Sequence, residues 1–484
     1  MTKQKLLIKN YIFNVVLTML NIIFPIITFP YVSRVLGAEG LGKVSFVNSI
    51  VNYFLIFAVL GIPNYGLREI ARYSKDEIKS SKVFNEIFTL GLLASFLVSV
   101  LYYSMILSFE AFYNDRLLYS ICGLTLILNI FSIDWMYKGF EDYKYITIRS
   151  IVFKVLSIIL LFVLVRSKSD YVMYAFISIV ALSGANLVNI LMAKKHVKFN
   201  VKNLNLKRHI APIFILLSTE VAINIYVNLD STMLGLISGN TSVGYYTAAI
   251  KINKMVVPIV TSLGAVLLPR LSYYIKENNK EMFDKYITKS VQYVLFIALP
   301  AAVGLFMLAP EIILLFSGEE FLPAVTAMRI ATPTILFLGI SNLTGMQILI
   351  PLGKEKYLFY SVSIAAVTNF ILNLGFIPLF SQNGAALSTT IVEGLVIIIQ
   401  WYFIKDYLKG KFINKSNFKY VLGSFGIALI VYIIKSFSLG AILTIIVSIP
   451  IAALFYIIFN FILKEPILML LFEKFINKRG EVHE

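Results

Sequence analysis

Two lysines stand inside a stretch that is otherwise apolar enough to cross a bilayer. Lys251 and Lys254 belong to a segment that starts near residue 243, and with Thr247, Pro258 and Ser262 they follow helical spacing on one stripe. Lys251 lies about eight residues into this segment, which is roughly 12 Å along a helix and too deep for easy access to the membrane surface. A charge at that depth costs on the order of 2.5–3.5 kcal/mol. The two ammonium groups therefore require an aqueous cavity, a carboxylate partner or an anionic ligand.

Polar residues form similar stripes on three other apolar segments. The stripes are Asn14, Thr18, Asn21, Pro25 and Thr28; Ser45, Asn48, Ser49 and Asn52; and Glu220, Asn224, Asn228 and Ser231, with Asp230 on the flank of the last. Glu220 and Asp230 are the acids nearest in sequence to the two lysines. For the Asn, Ser and Thr residues two interpretations are open, since they either bind a polar ligand or form hydrogen bonds between helices.

Other charged residues near the membrane have simpler interpretations. Arg34, at the outer end of the first segment, is either a membrane anchor or a contact for an anion. Lys154 and Arg329 lie close enough to helix ends for their long side chains to snorkel to the interface. The roles of three acids stay open: Asp134, Glu311 and Glu393.

The chain offers no pattern typical of a metal site. Cys122 is its single cysteine, which excludes an intrachain disulfide and a cysteine-based metal site, and we expect a small buried side chain there. His196, His209 and His483 lack ligand spacing. We expect no metal and no cofactor, and we leave open a coupling to an H⁺ or Na⁺ gradient or to the membrane potential.

Composition indicates the elements that position these residues. Hydrophobic residues make up 58% of the chain, charged residues 14%, and the mean hydropathy is +0.82. Since a spanning helix needs about 20 mostly apolar residues, we predict an all-α integral membrane protein with about 14 transmembrane helices. They start near residues 10, 41, 82, 115, 145, 170, 208, 243, 285, 325, 357, 383, 418 and 439.

Loop charge predicts the orientation of these helices. Most of the 43 Lys and Arg residues fall in alternate loops, which the positive-inside rule assigns to the cytoplasm. Both termini are therefore predicted to be cytoplasmic. The net charge of +17 follows from this topology and suits an anionic inner leaflet, so we expect no nucleic-acid partner.

Weak internal similarity predicts a repeat of six helices. The run SRVLGAEGLGKVSFVNSI around Arg34 is similar to STMLGLISGNTSVGYYTAAIKI around Thr232, and GFEDYKYITIRS from Gly139 is similar to GKEKYLFYSVS from Gly353. Each pair is six helices apart, so its members share one orientation. We therefore predict two six-helix lobes, residues 1–205 and 206–410, related by a pseudo-two-fold axis along the membrane normal. Residues 411–484 would add helices 13 and 14 and a cytoplasmic tail.

Several longer motifs resemble one transporter family. FPYVSRVLGAEGLGKVSFVNSI, LGIPNYGLREIAR, DWMYKGFEDYKYI, YVNLDSTMLG, VGYYTAAIKI with LLPRLS, and NFILNLGFIPLFSQNGAALSTTIVE resemble the Wzx-type polysaccharide flippases of the MOP exporter superfamily. Lipid II flippases and MATE multidrug exporters belong to the same superfamily. The resemblance runs from about residue 10 to residue 410 and implies two lobes in a V that work by alternating access.

The resemblance also implies a substrate and a location. The expected activity is transfer of undecaprenyl-diphosphate-linked oligosaccharide units across the bacterial cytoplasmic membrane, for capsule, O-antigen or cell-wall polysaccharide. Polysaccharide polymerases and glycosyltransferases are the protein partners it suggests. Lipid II flippases carry an Arg for the lipid head group at the position that matches Lys251, so the charge is kept here while bidentate geometry is lost.

These expectations combine into a hypothesis for the site. Lys251, Lys254 and Arg34 would attract the diphosphate, while the asparagine-rich stripes, with Asn21, Asn224 and Asn228, would bind sugar hydroxyls. Asp230 or Glu220 would carry a coupling ion.

Two other classes of protein compete with this hypothesis. A MATE-type multidrug antiporter would use the same scaffold, but cationic drugs favour an acidic cavity, whereas helices 7 and 8 carry two lysines and two acids. A membrane glycosyltransferase or polymerase would need a catalytic acid or base in a sizeable outer loop, and the predicted outer loops are short. We therefore expect a transporter and not an enzyme.

Overall fold

The computed structural model describes residues 3–200, 202–412, 417–466 and 468–469. Within these ranges the chain forms helices and turns and no β-strand, as the composition predicts. The predicted cytoplasmic tail beyond residue 469 and His483 lie outside the described residues.

Long apolar helices dominate both halves of the chain. In the first half they are α1 Lys3–Val59, α2 Ile62–Tyr73, α3 Glu77–Ser108, α4 Arg116–Asn129, α5 Asp134–Gly139, α6 Tyr143–Leu164, α7 Tyr171–Ile179, α8 Ala185–Ala193 and α9 Lys207–Ser238. In the second half they are α10 Asn240–Lys276, α11 Lys280–Met307, α12 Ala309–Ser317, α13 Ala324–Ala331, α14 Pro333–Asn342, α15 Glu355–Phe380, α16 Gln382–Leu408, α17 Phe418–Ser436 and α18 Ala441–Ile462. π-helical turns at Val180–Gly184 and Leu343–Leu349 connect α7 to α8 and follow α14.

Twelve stretches of the described chain are long and apolar enough to cross a membrane. One of them, Ile12–Tyr73, contains two of the fourteen helices predicted from sequence, while α9, the predicted seventh helix, is not among the twelve. The all-helical membrane architecture is therefore confirmed, and the count of fourteen and the V-shaped arrangement stay predictions.

Gly37 breaks the first long helix where the sequence predicts a loop between helices 1 and 2. Its φ of 69° lies in the left-handed region, which a residue with a Cβ enters only at a cost. The chain thereby ends one spanning segment and begins the next without a long loop. Arg34 lies about one turn before this break, and Ser45 to Asn52 lie about two to four turns after it.

The described chain divides into two compact units, one up to Gly244 and the other from Tyr245. The boundary falls near the start of α10 and not at residue 205, and the predicted lobe boundaries stay predictions. In the first unit α1 packs on α3, α4, α6 and α9, and in the second α15 packs on α16 and α17 on α18. Cys122 is buried in a core cluster of the first unit with Tyr102 and Leu118, and its small side chain suits that packing.

Two glycines from the first pair of similar segments bring their backbones into close approach inside the first unit. A Cβ on Gly42 would lie 1.7 Å from the Asn240 carbonyl oxygen, and a Cβ on Gly244 would lie 1.9 Å from the Ala38 carbonyl oxygen. Neither position has room for a side chain. The glycines in the two similar sequences are thus required by a contact between those sequences.

Candidate functional site

Hydrogen bonds join the polar stripe of α9 to the second half of α1 within the first unit. The Asn52 amide donates to Asn228 Oδ1 at 3.0 Å, and the hydroxyls of Ser49 and Thr232 lie 2.8 Å apart. Gly235 permits this approach, because a Cβ there would lie 2.1 Å from the ring of Phe46. We call these bonds the α1–α9 polar seam.

Glu220 and Asn224 continue the polar seam towards the start of α9. Asn224 Nδ2 donates to the Glu220 carbonyl oxygen at 3.0 Å and lies 3.4 Å from Glu220 Oε2. The Asn64 amide on α2 reaches Glu220 Oε1 at 3.5 Å. Asp230, on the flank of the stripe, is buried with 5% of its surface exposed. The two acids predicted to couple an ion thus differ in environment, since Glu220 is only half-buried.

The first half of α1 presents Asn21, which is exposed, to a lysine from another helix. Lys154 Nζ on α6 donates to Asn21 Oδ1 at 2.5 Å and lies 5.5 Å from the centre of the Phe24 ring. Only 7% of Lys154 is exposed. The prediction that Lys154 snorkels to the interface is therefore wrong, because its ammonium group points into the first unit towards a predicted sugar-binding residue.

Lys251 and Lys254 share one side of α10 in the second unit. Ile252 and Asn253 are buried on the opposite side, where Asn253 Nδ2 donates to the Met328 carbonyl oxygen at 3.1 Å. At 3.6 residues per turn this anchor turns Lys251 and Lys254 away from the core of the unit. Lys254 is exposed and Lys251 half-buried. The other stripe positions, Thr247, Pro258 and Ser262, are also at least partly exposed.

Arg34 is exposed near the end of the first half of α1. It is the third cation of the hypothesised diphosphate site. The coordinates place each predicted residue on a helix, and the roles of Lys251, Lys254, Arg34 and the asparagines stay predictions.

A buried ion pair that sequence analysis missed lies at one end of the first unit. Arg149 Nη1 and Nη2 donate to the two carboxylate oxygens of Asp134 at 2.9 and 3.0 Å, and Asn189 Nδ2 donates to Asp134 Oδ1 at 2.9 Å. Arg149 also donates to Asn189 Oδ1. Arg149 is buried, with 8% of its surface exposed. The motif DWMYKGFEDYKYI carries Asp134, but no local pattern pairs it with Arg149.

A second buried charge cluster holds the start of α9 against α2 and α3. Glu86 is fully buried, accepts hydrogen bonds from Arg208 and the Asn205 backbone N–H, and lies 2.9 Å from His209 Nε2. His209 Nδ1 lies 2.7 Å from the Tyr65 hydroxyl. In the described residues, no group of three or more His, Cys, Asp and Glu side chains could hold a metal ion.

Comparison with known families gives two overlapping matches. A family described as polysaccharide biosynthesis protein matches residues 7–275, which is more than half of the 484-residue chain. The MatE family matches residues 216–374.

Curated relatives include a protein named as an O-antigen transporter and a lipid II flippase. A protein named "Putative O-antigen transporter" from Escherichia coli (strain K12) is 25% identical over 412 residues, covering 84% of this chain and 98% of that protein. The lipid II flippase MurJ of Bacillus subtilis (strain 168) is 26% identical over 151 residues, 31% of this chain and 27% of that protein.

Solved structures share the fold at low identity. A structure of the lipid II flippase MurJ in an inward closed conformation has a TM-score of 0.73 at 18% identity and covers 95% of this chain and 100% of that one. An inward-facing MATE family transporter of the MOP superfamily has a TM-score of 0.64 at 14% identity, over 80% of this chain and 94% of that one.

Proposed function

The chain belongs to the polysaccharide biosynthesis protein family, and from that membership we propose that it is a flippase for lipid-linked oligosaccharides. The match to 98% of the length of the E. coli O-antigen transporter carries this proposal. In its finer form, the protein transfers undecaprenyl-diphosphate-linked repeat units from the inner to the outer leaflet of the bacterial cytoplasmic membrane, with both termini in the cytoplasm. The product would supply capsule, O-antigen or cell-wall polysaccharide synthesis.

Lysine charge on α10 supplies the contact for the diphosphate in this proposal. Lys251 and Lys254 point away from the core of the second unit, and Arg34 is exposed on α1. Ammonium and guanidinium groups form short, charge-assisted hydrogen bonds to phosphate oxygens, and these are strongest where water is excluded. The Coulomb attraction would also concentrate the anionic head group near the site before transfer.

Asparagine side chains supply the contacts for sugar hydroxyls. Asn21 is exposed beside Lys154, whereas Asn228 already accepts a hydrogen bond from Asn52, and Asn224 bonds to Glu220. A sugar hydroxyl that donates to Asn228 Oδ1 in place of the Asn52 amide would break the bond between the two asparagines. Substrate binding would thus weaken the polar seam between α1 and α9, which links recognition to movement of these helices.

Alternating access then delivers the head group outward while the polyprenyl tail remains in the lipid. This route spares the diphosphate a passage through hydrocarbon without compensation. Membrane potential could contribute about 2.3 kcal/mol per charge per 100 mV. Asp230 or Glu220 would carry the coupling H⁺ or Na⁺ in that scheme.

Complementation of a flippase-deficient strain tests the proposal. Lys251→Ala and Lys251→Glu should abolish polymer export at normal protein level, and Lys251→Arg should retain part of it. The matched control is Lys276→Ala, at the exposed end of the same helix, which should leave export unchanged. Normal export by both Lys251→Ala and Lys251→Glu would remove Lys251 from the site, and failure of the wild-type chain to complement any such strain would contradict the proposed function.

The MatE family match favours one second candidate, a multidrug antiporter on the same fold. Expression in a drug-sensitive strain separates the two functions. An antiporter should raise resistance to cationic drugs, whereas a flippase should restore polymer and leave resistance unchanged.

A further inference from the structure

A cavity of about 550 Å³ opens at one end of the first unit, beside the buried ion pair. Its walls come from the start of α6, from α8 and from the turns that flank them. The motif DWMYKGFEDYKYI supplies Tyr137, Asp142, Lys144 and Tyr145 to its lining. The proposed transport mechanism uses none of these residues.

The mouth of the cavity is basic. Lys144, Lys195, His196 and Arg149 line it, with Asp142 as the acid among them. Asp142 Oδ2 lies 3.3 Å from His196 Nε2, and Asp134 neutralises Arg149. Lys144 and Lys195 are exposed and form no ion pair with any residue that the structure describes. Two positive charges are therefore available at the mouth.

The body of the cavity is apolar and faces outward. Ile148 and Val152 on α6, which are 46% and 56% exposed, lie one turn apart, and Val188 and Met192 on α8 have the same spacing. Apolar side chains so exposed offer a surface on which lipid chains can pack. The cavity therefore has a cationic end and an apolar groove about one helical turn long, roughly 5.4 Å. This polarity fits an amphiphile with an anionic head better than a soluble anion.

Arg149 carries a hydrogen-bond donor that the protein leaves unused. The residue is 8% exposed and lines the cavity, and its Nη atoms bond to Asp134 and Asn189. Its Nε–H has no acceptor among the described residues. A buried donor without an acceptor costs free energy, and an acceptor oxygen that reached this N–H would remove that cost.

We propose that this cavity binds an anionic phospholipid of the surrounding bilayer through its phosphodiester group. The phosphate would lie between Lys144, Lys195 and Arg149, and the first methylene groups of the acyl chains would lie along Ile148, Val152, Val188 and Met192. The predicted orientation puts this end of the unit at the cytoplasmic leaflet, where basic pockets between membrane helices bind anionic head groups. Pockets of roughly 300–1,000 Å³ hold ligands of drug size, which suits a phospholipid head rather than a lipid-linked oligosaccharide. The proposal rests on membrane insertion and not on the transport cycle.

Titration of the purified full-length protein in detergent with dioleoyl phosphatidylglycerol tests this site, with bound lipid counted by native mass spectrometry and dioleoyl phosphatidylcholine as the neutral-headgroup control. We expect tighter binding of phosphatidylglycerol. The double variant Lys144→Glu, Lys195→Glu should weaken it at least roughly thirtyfold, the ratio that two charges at about 1 kcal/mol each would give. The matched control is Lys194→Glu, Lys202→Glu, which reverses two exposed charges outside the cavity. Equal loss in both double variants would overturn the proposal, since it would indicate diffuse surface attraction.

A second variant keeps all the charges and fills the groove. Val152→Trp should abolish tight binding of phosphatidylglycerol, whereas Val155→Trp, on the same helix and 50% exposed but outside the cavity, should not. Retention of the lipid by Val152→Trp would overturn the proposal.

Competition identifies the ligand. Displacement of phosphatidylglycerol by equimolar undecaprenyl diphosphate, the lipid part of the proposed substrate, would reassign the cavity to the transported substrate. Displacement by millimolar inorganic phosphate would reassign it to a soluble anion. Either result would overturn the phospholipid assignment. If the wild-type protein binds phosphatidylglycerol at this cavity but does not restore polymer export in a flippase-deficient strain, the result would count against the proposed function and not against the lipid site.

Discussion

Each unit contains a buried cluster of polar side chains that joins a position near the start of one helix to a residue about 40 positions later. We call the cluster in the first unit the charged corner and the cluster in the second unit the neutral corner. In the first, Arg149 near the start of α6 bonds to Asn189, 40 residues later. In the second, Ser361 near the start of α15 accepts from the Gln400 amide at 3.1 Å, 39 residues later, and Gln400 Oε1 accepts from Thr344. The first corner adds the carboxylate of Asp134, whereas the second is neutral. The same position near a helix start thus carries a charged side chain in one unit and a neutral one in the other.

The difference bears on why the charged corner exists. Neutral hydrogen bonds satisfy the second corner, and a buried ion pair adds little net stability over such an arrangement because desolvation offsets the Coulomb attraction. Arg149 is also the residue that faces the basic cavity. Binding of an anionic ligand, as proposed above, would give the charge at this corner a role.

Backbone conformation strengthens the comparison and revises the sequence alignment. The second pair of similar segments aligns Gly139 with Gly353. In the structure, Glu141 with φ of 60° and Gly353 with φ of 67° each lie two residues before their helix. Gly139 is instead required by packing, because a Cβ there would lie 2.7 Å from Ile70. The structural equivalence is therefore shifted by two residues.

The largest loss of stability should come from removing one partner of the ion pair in the charged corner. Asp134→Ala leaves the Arg149 guanidinium buried without its carboxylate, and we expect a loss of about 3 kcal/mol in the free energy of unfolding. This is the lower end of the usual range, because 32% of the Asp134 side chain is exposed. Thermal unfolding followed by size-exclusion chromatography in detergent measures it. An unchanged midpoint would mean that the pair contributes nothing.

Replacing both charges should restore most of that stability. The double variant Asp134→Leu, Arg149→Met removes the desolvation cost with the attraction, so we expect unfolding within about 1 kcal/mol of wild type. The same variant should lose phosphatidylglycerol binding at the cavity. If the double variant is as unstable as Asp134→Ala, the two charges are needed for folding, and the conclusion drawn from comparing the two corners is wrong.

A smaller effect is expected in the neutral corner. Gln400→Leu removes the side-chain partner that Thr344 and Ser361 share, while both hydroxyls keep a backbone carbonyl acceptor, so we expect a cost of about 1 kcal/mol. Because no ionised group is stranded, this loss should be smaller than that of Asp134→Ala under the same unfolding assay. Thr344→Val, Ser361→Ala and Gln400→Leu combined are the control and should recover most of the loss.

The smallest effects should appear at the two left-handed residues. Gly353→Ala should destabilise the protein by about 1 kcal/mol, since a Cβ disfavours positive φ, and Glu141→Gly should stabilise it by up to about 1 kcal/mol. Opposite signs in the unfolding assay would support the structural alignment. A loss of stability in Glu141→Gly would indicate that its side chain has another role.

Much of the fold could be predicted from the sequence. The predicted helix starts near 145, 208, 325, 357 and 383 lie within two residues of the observed starts at Tyr143, Lys207, Ala324, Glu355 and Gln382. The site was harder to predict. The spacing of Glu220, Asn224 and Asn228 predicts a polar stripe, but nothing local identifies its partners Asn64 and Asn52. No local pattern predicts that Lys154 or Arg149 is buried against a polar partner.

The sequence by itself determined that this chain forms membrane helices, where many of them begin, and to which family it belongs. Insertion into a bilayer depends on the hydropathy of each segment, which is a local property of about 20 residues. Only the tertiary structure decided which polar groups meet. Whether a buried charge is paired depends on which helix faces come together. Arg149 donates a hydrogen bond to Asn189, which is 40 residues later, and Lys154 donates to Asn21, which is 133 residues earlier.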